Sequence, residues 1–181
     1  LRLVQMKFNK LTSIISSFTP AEYRDFISFI RSDVVTTPVC VKKFIDLVEN
    51  SPAKVDELIL HKEKTFSHCF SDKKYDDKKM RYLFADVTKS AEIFIALKVL
   101  VKKEDVWKSM AAEELSKRDC TKAYDSIYGS LKKRDPEIKD SEYFYNNYAF
   151  EFNHLVNEVS KKQRDEESNI ESVIDNLDKF Y

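Results

Sequence analysis

Apolar side chains recur at intervals of three and four along most of the chain, and most regularly at Met80, Leu83, Phe84, Val87, Ala91 and Phe94. That spacing stacks them on one face of an α-helix and would scatter them over both faces of a strand. Glycine, which frees a backbone for positive φ and for close approach to a ligand, occurs once in 181 residues, at Gly129. A chain of this kind folds as rods laid against rods, an all-α protein. Gly-rich loops that cradle phosphate through backbone N–H groups have no place in it, and no cofactor is implied.

Helix starts are marked by specific chemistry. Thr19-Pro20-Ala21-Glu22 puts a hydroxyl at the N-cap, proline at the first helical position and glutamate three residues after the cap, the capping-box pattern. Thr37-Pro38 and Ser51-Pro52 repeat the cap-then-proline signal, predicting helices that carry Val41, Phe44, Ile45 and Val48, then Val55, Leu58 and Ile59. A first helix is expected over Leu3–Phe18. The longest, capped by Asp76, is predicted over Asp77–Lys102, a rod of roughly 39 Å at 1.5 Å per residue. Ile93, Ile95, Leu97, Val99, Leu100 and Val101 surround its second half, which predicts burial on all sides and a central position.

Beyond it, helices are expected near Glu104–Lys117, Cys120–Arg134, Lys139–Ser160 and Glu166–Tyr181. Ala123, Tyr124, Ile127, Tyr128 and Leu131 form a one-sided stripe on the second of these, and Lys132, Lys133 and Arg134 sit where the helix dipole favours cations. The expected organisation is a helical cluster over Leu1–Lys102 leading into a stack of antiparallel helical hairpins over Lys103–Tyr181, packed as one unit. The chain opens on Leu1 and closes on DKFY in mid-pattern, which reads as a segment of something longer. In the last helix Ile170, Val173, Ile174, Leu177 and Tyr181 form an apolar stripe, so this helix is expected either to fold back on the preceding one or to self-associate.

The stretch SEYFYNNYAFEFNHL, Ser141–Leu155, carries six aromatic residues. On a helix, Phe144, Tyr145, Tyr148, Phe152, Leu155, Val156 and Val159 share one broad face, read as core. Tyr143 and Phe150 lie almost opposite, on a face shared with Asn146, Asn147, Asn153, His154 and Asn157. These seven residues make either a second core face, as in stacked hairpins, or a groove for a protein partner, with asparagines as adaptable hydrogen-bonding groups. A base-stacking platform fits less well, because such platforms accompany basic grooves and Asp140, Glu142, Glu151 and Glu158 put acid here.

Other chemistries find little support. Thirty-one basic residues balance thirty-one acidic ones, so no net field draws polyanions or anionic membranes. No apolar run reaches a membrane span of roughly 18 residues. Cys40, Cys69 and Cys120 are scattered and odd in number, which argues against disulfides or a structural zinc site and for a reducing cytoplasm. Cys120 sits near a helix start, where the dipole favours thiolate, yet reads as a packed or inert thiol. His61 and His68 are seven apart, too far for an i, i+4 metal pair. Glu113, Glu114 and Lys117 read as a solvated face. A helix-turn-helix over Glu104–Arg134 is the alternative functional reading, a nucleic-acid-binding regulator, opposed by Asp125 within the would-be recognition helix.

The motifs FTPAEYRDFISFIRS, YDDKKMRYLFADVTKSAEIFIA, EELSKRDCTKAYDSI, SEYFYNNYAFEFN and NIESVIDNLDKFY follow one another along the chain. In that order they resemble a family of uncharacterised Bacteroidetes proteins. The resemblance implies a longer protein whose later part continues as tetratricopeptide (TPR)-like helical repeats, and it brings no known activity and no catalytic residues. A non-enzymatic helical scaffold that binds protein partners is the reading expected of the whole, with no pocket gathering several titratable groups.

Overall fold

A computed structural model describes residues 10–32, 34–71, 74–134, 139–160 and 167–180, with backbone alone at 157–160 and 167–172. These residues form ten α-helices and no strand, and no helix is long and apolar enough to cross a membrane. The chain divides into two compact units, Leu1–Lys98 and Val99–Tyr181. The division falls inside the longest helix, where the sequence pattern places it at the helix end.

The first unit contains α1 (Lys10–Ser16), α2 (Pro20–Arg31), α3 (Val39–Val48), α4 (Lys54–Leu60), α5 (Lys62–Cys69) and most of α6 (Asp77–Lys102). Two starts follow from local chemistry. Thr19 Oγ1 accepts from the Glu22 N–H at 3.2 Å while the Glu22 carboxylate accepts from the Thr19 N–H at 3.0 Å, satisfying two helix-end donors at once. At α6 the Asp76 carboxylate accepts from the N–H groups of Lys78 and Lys79, at 2.8 and 3.2 Å. The other two expected caps are not used. Thr37 turns its hydroxyl to the Val35 carbonyl and Pro38 takes the N-cap position, while α4 begins at Lys54, after a turn through Ser51 and Pro52. Helix α5 is not signalled by periodicity at all, because its KEKTFSHC sequence sends only Thr65, Phe66 and Cys69 inward.

The core of this unit is built on rings. The Phe94 ring lies 5.6 Å from Phe18 and Phe26 and 5.7 Å from Phe29, and Phe84 meets Phe44 edge-on at 5.9 Å. Such pairs add to the apolar area they bury. Around them Leu11, Ile30, Val41, Phe66, Met80 and Leu83 are almost wholly enclosed. Tyr23 is buried with its hydroxyl donating to the Val48 carbonyl at 2.6 Å, and burial, followed by the nearby Glu49 charge, pushes its pKa up to about 12. Burial also pushes the Cys69 thiol up to about 12 and raises Cys40, so both stay protonated packing residues.

Helix α6 departs from the expectation of all-round burial. Met80, Leu83, Phe84, Val87, Ala91 and Phe94 are buried, whereas Ile95, Val99 and Val101 are 39, 51 and 73% exposed. Only the stripe with helical period meets the core.

The second unit contains α7 (Glu104–Lys117), α8 (Thr121–Lys132), α9 (Ser141–Ser160) and α10 (Glu167–Phe180). Helix α7 packs on α8, α9 on α10, and α9 also touches α7. Helix α10 lies along α9, with Val173 buried, the Phe180 ring 5.3 Å from Tyr145 and Lys179 Nζ 5.8 Å above the Phe144 ring. Ile174 remains 52% exposed, and the side chains of Ile170 and Tyr181 lie outside the described residues.

Replacing Phe94 with alanine leaves a cavity among three phenylalanines, Phe18, Phe26 and Phe29, and is expected to cost about 3–5 kcal/mol of the first unit's stability, read by urea denaturation. For Tyr23 the raised folded-state pKa means that stability is fully present below pH 10 and is lost as pH rises towards 12. Tyr23→Phe is expected to cost about 1 kcal/mol near neutrality and to flatten the alkaline decline, which denaturation midpoints across that range would reveal.

Candidate functional site

The turn from α7 to α8 is where the second unit's cleft begins. Arg118 ends α7, and Asp119 adopts φ 55°, the left-handed conformation usually left to glycine. Its N–H then reaches the Ser116 carbonyl at 3.1 Å, and the Cys120 N–H reaches the Leu115 carbonyl at 2.9 Å, the paired bonds of a Schellman ending. Aspartate tolerates this backbone better than most residues. The tight reversal leads straight into α8 and places Tyr124, 5% exposed, beside α9. Cys120 stands at the N-cap position of α8 without a side-chain cap bond, exposed rather than packed inside.

Helix α9 meets α8 through a cluster of rings and polar groups. The Tyr128 ring stacks on His154 at 3.8 Å and on Phe150 at 4.9 Å. The Tyr128 hydroxyl donates to the Glu151 carboxylate at 3.1 Å, giving a partner to an acid only 6% exposed. Tyr124 Oη and His154 Nδ1 share a 2.5 Å hydrogen bond whose direction follows the imidazole tautomer. Nearer the start of α9, Asn146 donates to Asp105 at 3.2 Å and Arg134 pairs with the same carboxylate at 3.2 Å. Burial pushes the Asp105 carboxyl up, but hydrogen bonds from Arg134 and Asn146 outweigh this and hold it below its ordinary value. Lys103 pairs with Glu142 across the same region.

Between α7 and α9 lies a cleft of about 460 Å³. Ala112, Tyr124, Phe150 and Val156 supply its apolar surface, and Ser109, Ser116, Asn153 and His154 its neutral polar groups. Glu113 and Lys117, paired at 2.6 Å along α7, edge it together with Asp119. Five titratable groups therefore gather where none were expected: Glu113, Lys117, Asp119, Tyr124 and His154. Four of them are engaged with each other, two as an ion pair and two as a hydrogen bond.

The seven residues singled out on α9 separate in space. Phe150, Asn153 and His154 line the cleft; Asn146 belongs to the Asp105 cluster. Tyr143 is half-buried, edge-on to Phe144 at 5.3 Å with Lys139 above its ring, and Asn147 is half-buried without lining the cleft. The side chain of Asn157 lies outside the described residues. The core face of α9 is also redistributed. Phe150, on the side opposite the broad apolar face, is 7% exposed, whereas Tyr145, Phe152 and Val156 on that face are 51, 45 and 48% exposed. Periodicity reports that α9 has two apolar sides and is silent on which side receives the larger neighbour; Tyr128 takes Phe150. The α7 contribution carries no sequence signal, because Glu113 and Lys117 have the spacing of any solvated helix face.

Two of the three basic residues at the end of α8 are drawn into the unit's own contacts, Arg134 to Asp105 and Lys132 over the Tyr128 ring at 5.6 Å. Compared with known proteins, the chain matches no family model, no curated protein and no solved structure. Asp119→Gly removes the left-handed penalty on a side chain at the mouth of the cleft. The relieved strain exceeds glycine's extra unfolded-state entropy, so the stability of the second unit is expected to rise by about 0.5–1 kcal/mol, as thermal denaturation would record.

Proposed function

We propose that the chain is a non-enzymatic helical interaction module that receives a short segment of a protein partner in the cleft between α7 and α9. The observation that carries this reading is the mixed lining of that cleft, an apolar floor of Ala112, Tyr124 and Phe150 beside the exposed Asn153 amide and the Ser109 and Ser116 hydroxyls. A primary amide can donate to one peptide group and accept from another, so Asn153 suits recognition of main chain, while the floor suits one apolar anchor. Glu113 and Asp119 outnumber Lys117 at the rim, which favours a segment carrying a basic residue. The succession of paired helices, α7 with α8 and α9 with α10, supports a helical-repeat, TPR-like architecture. Acting in the cytoplasm accords with three unpaired cysteines.

Panning a random peptide library on the purified protein tests the reading. Enriched peptides are expected to share an apolar residue near a basic one. Their affinity should fall about tenfold or more, at least 1.4 kcal/mol, on Ser116→Arg or Asn153→Arg, which fill the cleft from positions outside the core. Peptides that bind these variants as tightly as the parent, with helicity unchanged by circular dichroism, would overturn it.

A further inference from the structure

The first unit holds a second concavity, of about 490 Å³, along the outer side of α6. Four cations from three helices edge it: Lys10 of α1, Lys62 at the start of α5, and Arg81 and Lys89 of α6. Their local partners are few. Lys10 pairs with Glu92 at 2.6 Å, and Asp77 is shared between Arg81 at 3.1 Å and Lys62 at 3.4 Å. Lys89 has no ion pair among the described residues. Four cations against two carboxylates leave an excess of two positive charges in one cleft, on a chain whose net charge is zero.

The floor between the cations is apolar, made by Ile59 and Phe84, with Ala85 beside them. The Thr88 hydroxyl is turned back to the Phe84 carbonyl at 2.7 Å and does not compete for the space. All the ion pairs present are solvent-exposed, and such pairs are individually worth about 0–1 kcal/mol, so an entering dianion can recruit their cations at little cost.

We propose that this cleft binds a small phosphate monoester, its organic body on Ile59 and Phe84 and its dianionic group among Lys62, Arg81 and Lys89. The charge excess matches a dianion and exceeds what a single carboxylate neutralises. The Arg81 guanidinium can grip two phosphate oxygens in parallel, with lysines as point charges around it. Side chains do here what Gly-rich loops do elsewhere, which a chain with one glycine requires. A nucleic acid strand fits less well, because the cations converge on one hollow and Asp77 and Glu92 interrupt any track leading out of it.

Calorimetric titration at low ionic strength with adenosine 5′-monophosphate, inorganic phosphate and adenosine tests the assignment. The monophosphate should bind saturably, inorganic phosphate more weakly and adenosine not measurably. Arg81→Gln with Lys89→Gln should weaken the monophosphate about tenfold or more; both positions are exposed, so the fold should persist and circular dichroism should be unchanged. Lys89→Glu alone should act in the same direction. No saturable heat at millimolar monophosphate, equal binding of adenosine, or affinity indifferent to these substitutions would overturn the proposal. Binding confined to oligonucleotides and growing with their length would overturn it equally, in favour of a polyanion surface.

Discussion

Ring-on-ring contact sets the spacing between helices in both units. In the first, Phe94 stands between Phe18, Phe26 and Phe29, and Phe84 meets Phe44, so α6 is held to α2 and α3 through flat side chains that interlock at centroid distances of 5.6–5.9 Å. In the second, Tyr128 does the same work between α8 and α9, against Phe150 and His154. A ring reaches further than an aliphatic side chain and tolerates only a few relative orientations, so the placement of each helix follows from where its rings can sit.

The difference between the two clusters is polarity, and both clefts follow from it. Phenylalanines fill the first unit's core and no charged side chain among its described residues is buried there, which is how Lys10, Lys62, Arg81 and Lys89 come to edge a hollow whose floor is apolar. The tyrosines and histidine of the second carry polar atoms inward, where each needs a partner: Tyr128 serves Glu151, and Tyr124 serves His154. Satisfying them holds α9 in a fixed rotation, with Phe150, Asn153 and His154 turned towards α7. The Schellman turn through Asp119 brings α7 round to meet them.

Where the sequence was legible, the deciding interaction was local. The Thr19 capping box and the Asp76 cap involve residues within three positions of one another, and the starts they mark appear as read; so does the far end of α6 at Lys102. Thr37-Pro38 and Ser51-Pro52 show the limit of that logic, since a hydroxyl before proline can equally serve a turn, as Thr37 does with Val35. Helix α5 shows the opposite case, a segment with little apolar period that is helical because α3 and α4 pack against it. Of the six described side chains singled out on α9, Phe150, Asn153 and His154 reached the cleft and Tyr143, Asn146 and Asn147 did not, because a helical wheel gives each residue an angle but no neighbour.

Helical period and scarcity of glycine were sufficient for the sequence to determine an all-α protein, because both act within a few residues of backbone. The scarcity of glycine also left no place for a Gly-rich phosphate loop. The tertiary structure alone decided which apolar stripes are covered, leaving Ile95, Val99 and Val101 exposed while burying Phe150. It alone brought Lys10 and Lys62 to Arg81 and Lys89, and Ser116 to Asn153. Those meetings join residues distant along the chain, and their geometry depends on how large rings from different helices fit together, which no local periodicity encodes.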